Sequence, residues 1–300
     1  MNTIVAIPLD DGIADYIGKK GSENSITFYN RKLNDSVIVA LMPSSIEEKF
    51  YALPQSLLMA DQIVVSTRDV DRLFGEVLVA CALLDKKVIF TKDSDISKML
   101  SGTAIGDISF ADRENILDMI VSLKKDANEG ENARIDIDKA FNVKGVGTVV
   151  LGIVTKGTVR VHDVLYHSSG KPITVRSIQS QDEDIKEAGP GTRVGIAVKG
   201  MDESEIEKGD TLSSSAIKPS KTLEISIRGS SFANETIENG KMYSIAIGFS
   251  YAIATIEKVE GANATVKLEK AIPAEIGDTL MMARAAAPRI FASGKVLKAD

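Results

Sequence analysis

Apolar positions in the first part of the chain come in short, nearly unbroken runs, "TIVAIPL", "DSVIVALM", "DQIVVST" and "KKVIFTK". Strands buried on both faces of a parallel sheet read this way. Between the runs, "SSIEEKFYALPQSLLMA" and "VDRLFGEVLVACALL" have helical length and spacing, and "ADRENILDMIVSLKK" sets Ile116, Met119, Ile120 and Leu123 on one helical face. The alternation predicts a doubly wound α/β domain over residues 1–127.

Residues 124–134, "KKDANEGENAR", carry charge and glycine without apolar periodicity and read as a linker. Beyond them, short Val, Ile and Thr runs are broken by Gly, Asp and Asn every eight to twelve residues or so, the pattern of small antiparallel barrels. The segment repeats weakly: "EIEKGDTL" ends at Leu212 and "AEIGDTL" at Leu280, each a tight turn feeding a last strand. With "SSSAIKPSK" as the join, two β-barrels are expected, over residues 133–217 and 220–300.

Composition narrows the function classes. The chain has 300 residues, 44% of them hydrophobic and 26% charged, so it reads as globular with room for two or three cores. Its net charge of -6 divides into roughly -5 over residues 1–127, about -2 over 128–218 and about +1 beyond. No segment is basic enough to make nucleic-acid binding the default, and DNA is not an expected partner. Cys81 is the sole cysteine, sits in an apolar run and reads as core, in keeping with a reducing cytoplasm. No stretch approaches the roughly 18 apolar residues of a membrane span, and the N-terminus lacks a basic leader, so the expected location is cytoplasmic, away from membranes.

The β region carries the most specific pattern. "IDIDKAFNVKGVGTVVLGIVTKGTVRVHDVLYH" places Gly145 and Gly147 at a sharp turn before a long strand, Gly157 at a hairpin and His162-Asp163 at the next turn. In "AGPGTRVGIAVKG", Pro190 and Gly191 set a turn before another buried strand. Over about 80 residues this resembles the second domain of translational GTPases of the elongation factor Tu class. The last part, ending in "RIFASGKV", resembles the third domain of archaeal selenocysteine-specific elongation factors and of the initiation factor gamma subunit. The resemblance implies a GTPase-like domain in front of the two barrels, and contacts with tRNA, the ribosome or another translation factor. The additional RNA-hairpin-reading domain of the selenocysteine-specific factors is expected to be missing.

A translational GTPase needs a G-x-x-x-x-G-K-[ST] loop, whose N–H groups and lysine hold the phosphates and whose hydroxyl binds magnesium. "GIADYIGKK" has five residues between Gly12 and Gly18, and Lys20 where the hydroxyl belongs. Placed directly after the first strand, the loop has Pro8 for the first glycine, Ala14 for the lysine and Asp15 for the hydroxyl. Asp10, Asp11 and Asp15 would each repel a polyphosphate by up to a few kcal/mol at about 4 Å and an effective dielectric near 20. The γ-phosphate-sensing D-x-x-G would fall at "MPSS", Met42 to Ser45, and the guanine-reading N-K-x-D after "KKVIF", at Thr91-Lys92-Asp93-Ser94. Pro8, Asp10, Asp11, Gly12, Ala14 and Asp15 therefore read as a degenerate nucleotide loop, with no catalytic residue and no cofactor. GTP and magnesium belong to the alternative, an active elongation factor with a loop rebuilt around Lys19 or Lys20.

In the selenocysteine-specific factors, an Asp-Arg pair before "AF-x-V-K-G" and an arginine in "G-x-R" hold the aminoacyl group. The matching residues here are Asp138, Lys139 and Arg193. Lysine in place of arginine keeps the charge and loses the planar fork. On composition alone, Asp138 and Lys139 read as a solvated turn and Arg193 as a surface residue; the resemblance implies an aminoacyl or small-anion pocket. His162 and His167 flank a turn without metal-ligand spacing, "QDEDIKE" reads as a solvated loop, and no Ser-His-Asp or Cys-His grouping stands out. The leading expectation is a non-enzymatic paralogue of the elongation factor Tu group; a third possibility is a small-anion binder with no translational role.

Overall fold

The structure, a computed structural model, describes residues 2–33, 36–122 and 132–300. The α/β part runs β1 (Thr3–Leu9), α1 (Ile13–Ile17), β2 (Lys19–Lys20), β3 (Ile26–Leu33), β4 (Ser36–Pro43), α2 (Ala52–Met59), β5 (Gln62–Val65), α3 (Arg72–Ala82), β6 (Lys87–Thr91), α4 (Ser97–Leu100), β7 (Ile108–Ala111) and α5 (Ile116–Ser122). The sheet order is β2-β3-β4-β1-β5-β6-β7. β4, β1, β5, β6 and β7 are mutually parallel, while β3 runs antiparallel to β4 and β2 to β3. The four continuous apolar runs are the central strands, because helices cover both faces and water reaches neither.

Several elements depart from the sequence reading. β3 and β7 are strands that periodicity did not separate from loop; β3, ITFYNRKL, gathers its apolar residues at one end and its polar ones toward the other, so it shows neither an unbroken apolar run nor an alternation. The first expected helix shortens to α2, since residues 44–51 are mostly turn and bend. Asp71 caps α3, its carboxylate accepting from Phe74 N at 2.9 Å, which is why that helix starts where it does. Most of the expected linker, and Leu123 of the expected helical face, lie outside the described residues. Arg134 is no linker residue: it opens a strand and is buried.

The first barrel contains β8 (Arg134–Val143), β9 (Gly147–Lys156), β10 (Val159–Arg160), β11 (Val164–His167), β12 (Pro172–Ser180), β13 (Glu183–Ile185), β14 (Glu187–Ala188), β15 (Arg193–Lys199) and β16 (Thr211–Ser213). Six strands close in the order β11-β16-β8-β9-β15-β12, with β12 pairing back onto β11. The β8–β9 turn needs its glycines, at φ 84° for Gly145 and 96° for Gly147, a region open to glycine at no steric cost.

The second barrel contains β17 (Pro219–Ser226), β18 (Arg228–Gly229), β19 (Met242–Ile247), β20 (Ser250–Glu260), β21 (Asn263–Pro273), β22 (Thr279–Ala283) and β23 (Ile290–Ala299). It closes as β17-β21-β20-β19-β22-β23, with β23 pairing back onto β17. "AEIGDTL" thus feeds the penultimate strand, and "RIFASGKV" forms the last. Gly294 in that strand is required by space: a Cβ there would stand 1.9 Å from Ser226 O.

The three parts share their interiors. One apolar cluster joins Phe28, Leu57 and Phe74 of the α/β layer to Ile153 of β9 and to Phe249, Met281 and Ile290 of the second barrel. Polar contacts cross the same boundaries: Gln55 Nε2 donates to Phe249 O at 2.5 Å, Ser293 Oγ to Leu83 O at 2.7 Å, and Arg289 pairs with the buried Glu76 at 2.8 Å. Between the barrels, Arg134 pairs with Asp278 at 2.7 Å, while on its own strand it pairs with Asp136 at 3.0 Å. Among the described residues no helix is long and apolar enough to cross a membrane.

Candidate functional site

Between β4 and β5, with β1 in the middle, the strand order reverses, and this is where α/β sheets hold ligands beyond the strand ends. A cavity of about 460 Å³ opens there, lined by Pro8, Leu9 and Pro43 and by six carboxylates, those of Asp10, Asp11, Glu47, Glu48, Asp69 and Asp71. No lysine or arginine lines it. Among the described residues only Asp11 of the six is ion-paired, to Arg68 at 2.5 Å and Arg113 at 3.1 Å.

The chain's own carboxylates take what a phosphate would need. Asp10 Oδ1 accepts the Ala14 N–H at 2.9 Å, at the start of α1. The five residues of α1 are too few for a helix dipole of consequence. Ala14, in the lysine's place, is fully buried, and Asp15 is exposed. Gly12 turns the chain into α1 at φ 70°. Lys19 and Lys20 sit on the edge strand β2, exposed, with Lys20 paired to Glu23 at 2.8 Å; neither lines the acidic cavity.

The loop after β5 contributes Ser66 and Asp69 to the cavity, whereas Thr91-Lys92-Asp93-Ser94 contributes nothing. Thr91 instead serves Thr67, which donates through its hydroxyl to Thr91 O at 2.9 Å.

Asp138 and Arg193 come together, and neither is a surface residue. Arg193 Nη2 lies 3.1 Å from Asp138 Oδ2 and donates to Ser22 Oγ at 2.8 Å, while its guanidinium stacks on Phe28, 3.4 Å from the ring centre. Lys139, the next residue along β8, is exposed, as strand alternation requires. Burial pulls the Arg193 guanidinium below its ordinary value, with Asp138 opposing. Arg193 Nη1 and Asp138 Oδ1 have no partner among the described residues. A cavity of about 380 Å³ adjoins them, bordered by Lys19, Lys20, Ser22 and Asn30 on one side and Gln179 and Arg193 on the other.

Lys208 belongs to the same junction. Its Nζ donates to Ser25 Oγ at 2.8 Å and lies 5.4 Å from the Phe249 ring centre, and burial brings its amine down to about 8. His162 stands exposed in a turn and His167 is buried at the end of β11, so the two flank a strand rather than a turn. No group of three or more His, Cys, Asp or Glu side chains suited to a metal occurs among the described residues. Cys81 is buried, its thiol pushed up to about 12 by desolvation, which is the inert core role expected of it.

Comparison with known proteins places these features in context. The family pattern described as Elongation factor Tu domain 2 matches residues 147–213. The uncharacterized protein MJ0325 of Methanocaldococcus jannaschii is 33% identical over 296 residues, covering 95% of this chain and 96% of that protein. A selenocysteine-specific elongation factor of the same organism is 36% identical over 130 residues, 42% of this chain and 27% of that factor. The Metallosphaera sedula elongation factor 1-alpha is 29% identical over 139 residues, 46% of this chain and 30% of the factor, so the match spans under a third of either elongation factor. The crystal structure of elongation factor SelB from Methanococcus maripaludis with the GTP analogue GppNHp superposes with a TM-score of 0.85 at 20% identity, covering all of this chain and 79% of SelB.

Proposed function

The chain belongs to the translational GTPase-like superfamily, alongside its full-length relative MJ0325, and from that premise we propose a translation elongation factor-like protein that no longer takes GTP. The observation that carries the reading is the acidic cavity at the ends of β1, β4 and β5. At an effective dielectric near 20, a carboxylate about 4 Å from a phosphate oxygen costs about 4 kcal/mol. With Asp11 already paired to Arg68 and Arg113, one divalent cation does not neutralise the other five carboxylates and a triphosphate together. The lysine that would help is Ala14, pointing into the core, and Asp10 already holds the Ala14 N–H in the first turn of α1.

In this reading the α/β layer is structural and the barrels make the contacts, with tRNA, the ribosome or a translation factor as partner. A net charge of -6 gives no long-range pull toward RNA, so recognition rests on shape and a few placed groups. The protein acts as an accessory or regulatory module and not as an enzyme. Calorimetric titration of the full chain with GTP and GDP in magnesium tests this directly. No heat of binding is expected at micromolar nucleotide, and micromolar affinity would overturn the reading in favour of an active factor with a rebuilt loop.

A second reading rests on the unpartnered Arg193 Nη1 beside the 380 Å³ cavity: a small-anion or aminoacyl site. Its test is charged-tRNA binding by an Arg193→Ala chain. Equal affinity to wild type removes it.

A further inference from the structure

The two edges of the α/β sheet are built differently. At one edge β2 is Lys19-Lys20, both exposed, and edge lysines guard a strand against pairing with another chain. At the other edge β7 is Ile108-Ser109-Phe110-Ala111, with neither lysine nor proline. Phe110 is 41% exposed although its ring lies 6.0 Å from that of Phe90. Ile108 shares its face of the sheet and is half-buried.

The ladder fixes which main-chain groups of β7 are left over. Ile108 registers with Val88 and Phe110 with Phe90, and Val88 N donates to Asp107 O at 2.9 Å. Bonding groups alternate between the two sides of a strand, so Asp107, Ser109 and Ala111 serve β6. The N–H and C=O of Ile108 and Phe110 therefore point outward. Among the described residues no strand lies beyond β7 to take them.

We infer that this edge is an interface between two copies of the chain, joined antiparallel through β7 about a twofold axis at Ser109. The inference is independent of the nucleotide reading. In that arrangement the strand is its own complement. Ile108 of each copy stands opposite Phe110 of the other, and each such pair exchanges both of its N–H···O bonds, which uses every outward group. Opposed side chains share a face, so the two Ile108–Phe110 pairs close over one another beside Phe90 and cover the exposed ring.

Neighbouring registers fit less well. With the axis on Phe110, Ile108 meets the charged Asp112; with the axis between Ser109 and Phe110, outward groups of one strand face inward groups of the other. A twofold interface uses the same patch on both copies, and the match of Ile108 to Phe110 about Ser109 is what such a patch requires; a foreign strand would need no symmetry in β7. One short strand from each copy puts the contact at the weak end of specific interfaces, so the dimer forms at tens of micromolar chain and separates on dilution.

Sedimentation velocity of the full chain from ~1 to ~100 µM tests the assignment, with the mass expected to double across that range. Phe110→Lys, which copies the guarded edge at β2, should stay monomeric throughout. Val164→Lys replaces an apolar residue of the first barrel that is 55% exposed and should still double. Because Phe110 also packs on Phe90, a cysteine gives a second measurement in an otherwise native chain. The two Ser109 residues face each other as a pair without main-chain bonds, their Cα atoms ~4.5 Å apart and within disulfide reach. Cys81 is buried, so Ser109→Cys supplies the accessible thiol. Mild oxidation should link Ser109→Cys chains at least ~10-fold faster than Ser204→Cys chains, whose thiol is exposed on the first barrel. A wild-type monomer at ~100 µM overturns the inference and leaves the edge to a strand of another protein. A dimer indifferent to Phe110→Lys, or equal linking of the two cysteines, overturns it as well.

Discussion

The Arg193 guanidinium stacks on the ring of Phe28, 165 residues away, at 3.4 Å from its centre, and so ties the first barrel to the α/β sheet. Phe28 is fully buried and also meets Phe249 edge-on at 6.4 Å. Phe28→Ala should cost about 3–5 kcal/mol, as large aromatic truncations in a packed core do. Arg193→Ala should cost a similar ~3–5 kcal/mol, because Asp138 is left charged and alone in a buried site. Replacing both partners, Arg193→Met with Asp138→Leu, should cost less than Arg193→Ala. Denaturant midpoints of the four chains check the order.

Lys208 makes the assembly sensitive to alkali in a defined direction. Its amine is near 8 in the folded chain against an ordinary 10.5, so the folded state holds fewer protons between those values. Stability from this group is then complete above about 10.5 and lost as pH falls through about 8. The wild-type denaturation midpoint should rise relative to that of Lys208→Met between pH 8 and 10. A constant difference across that range would contradict the assignment.

Acid acts at the junction between the barrels. Burial alone would raise the Asp278 carboxyl, but Arg134, with help from Lys156, holds it below its ordinary value of 3.8. That contribution is present above about 3.8 and disappears as pH falls through the lower, folded value. Arg134→Met, which leaves Asp136 without its ion pair and Asp278 with Lys156 alone, should lose about 3–5 kcal/mol at neutral pH and show a shallower acid dependence from pH 5 to 2. Equilibrium unfolding at a series of pH values measures both.

Gly294→Ala tests why "SGK" closes the second barrel. Its Cβ would overlap Ser226 O, so either β17 or β23 must shift, and a loss above ~2 kcal/mol is expected. Gly229→Ala is a fitting control: like Gly294 it lies in a strand without a positive φ, but nothing stands within 4 Å of the added carbon. If the two variants melt together, strand crowding is not what fixes Gly294.

The four central strands of the sheet and the change of texture near residue 130 were legible because burial on both faces writes itself as unbroken apolar runs. The short edge strand β2 and its neighbour β3 were not, since an antiparallel strand near the sheet edge has no such signature. Asp10, Asp11 and Asp15 announced an acidic loop, but Glu47, Glu48, Asp69 and Asp71 join the cavity only through the fold. Asp138 and Arg193 were found by resemblance, while their burial depends on Phe28 and Ser22, which no local pattern marks.

A layer whose side chains complete a neighbour's interior is not a detachable part. Shortening the chain to its two barrels would expose Phe249, Met281 and Ile290, each about 1% exposed now, and leave Gln55's acceptor, Phe249 O, to water. The barrels inherit the sheet as a lid on their own hydrophobic floor. Such a lid is needed for what it covers.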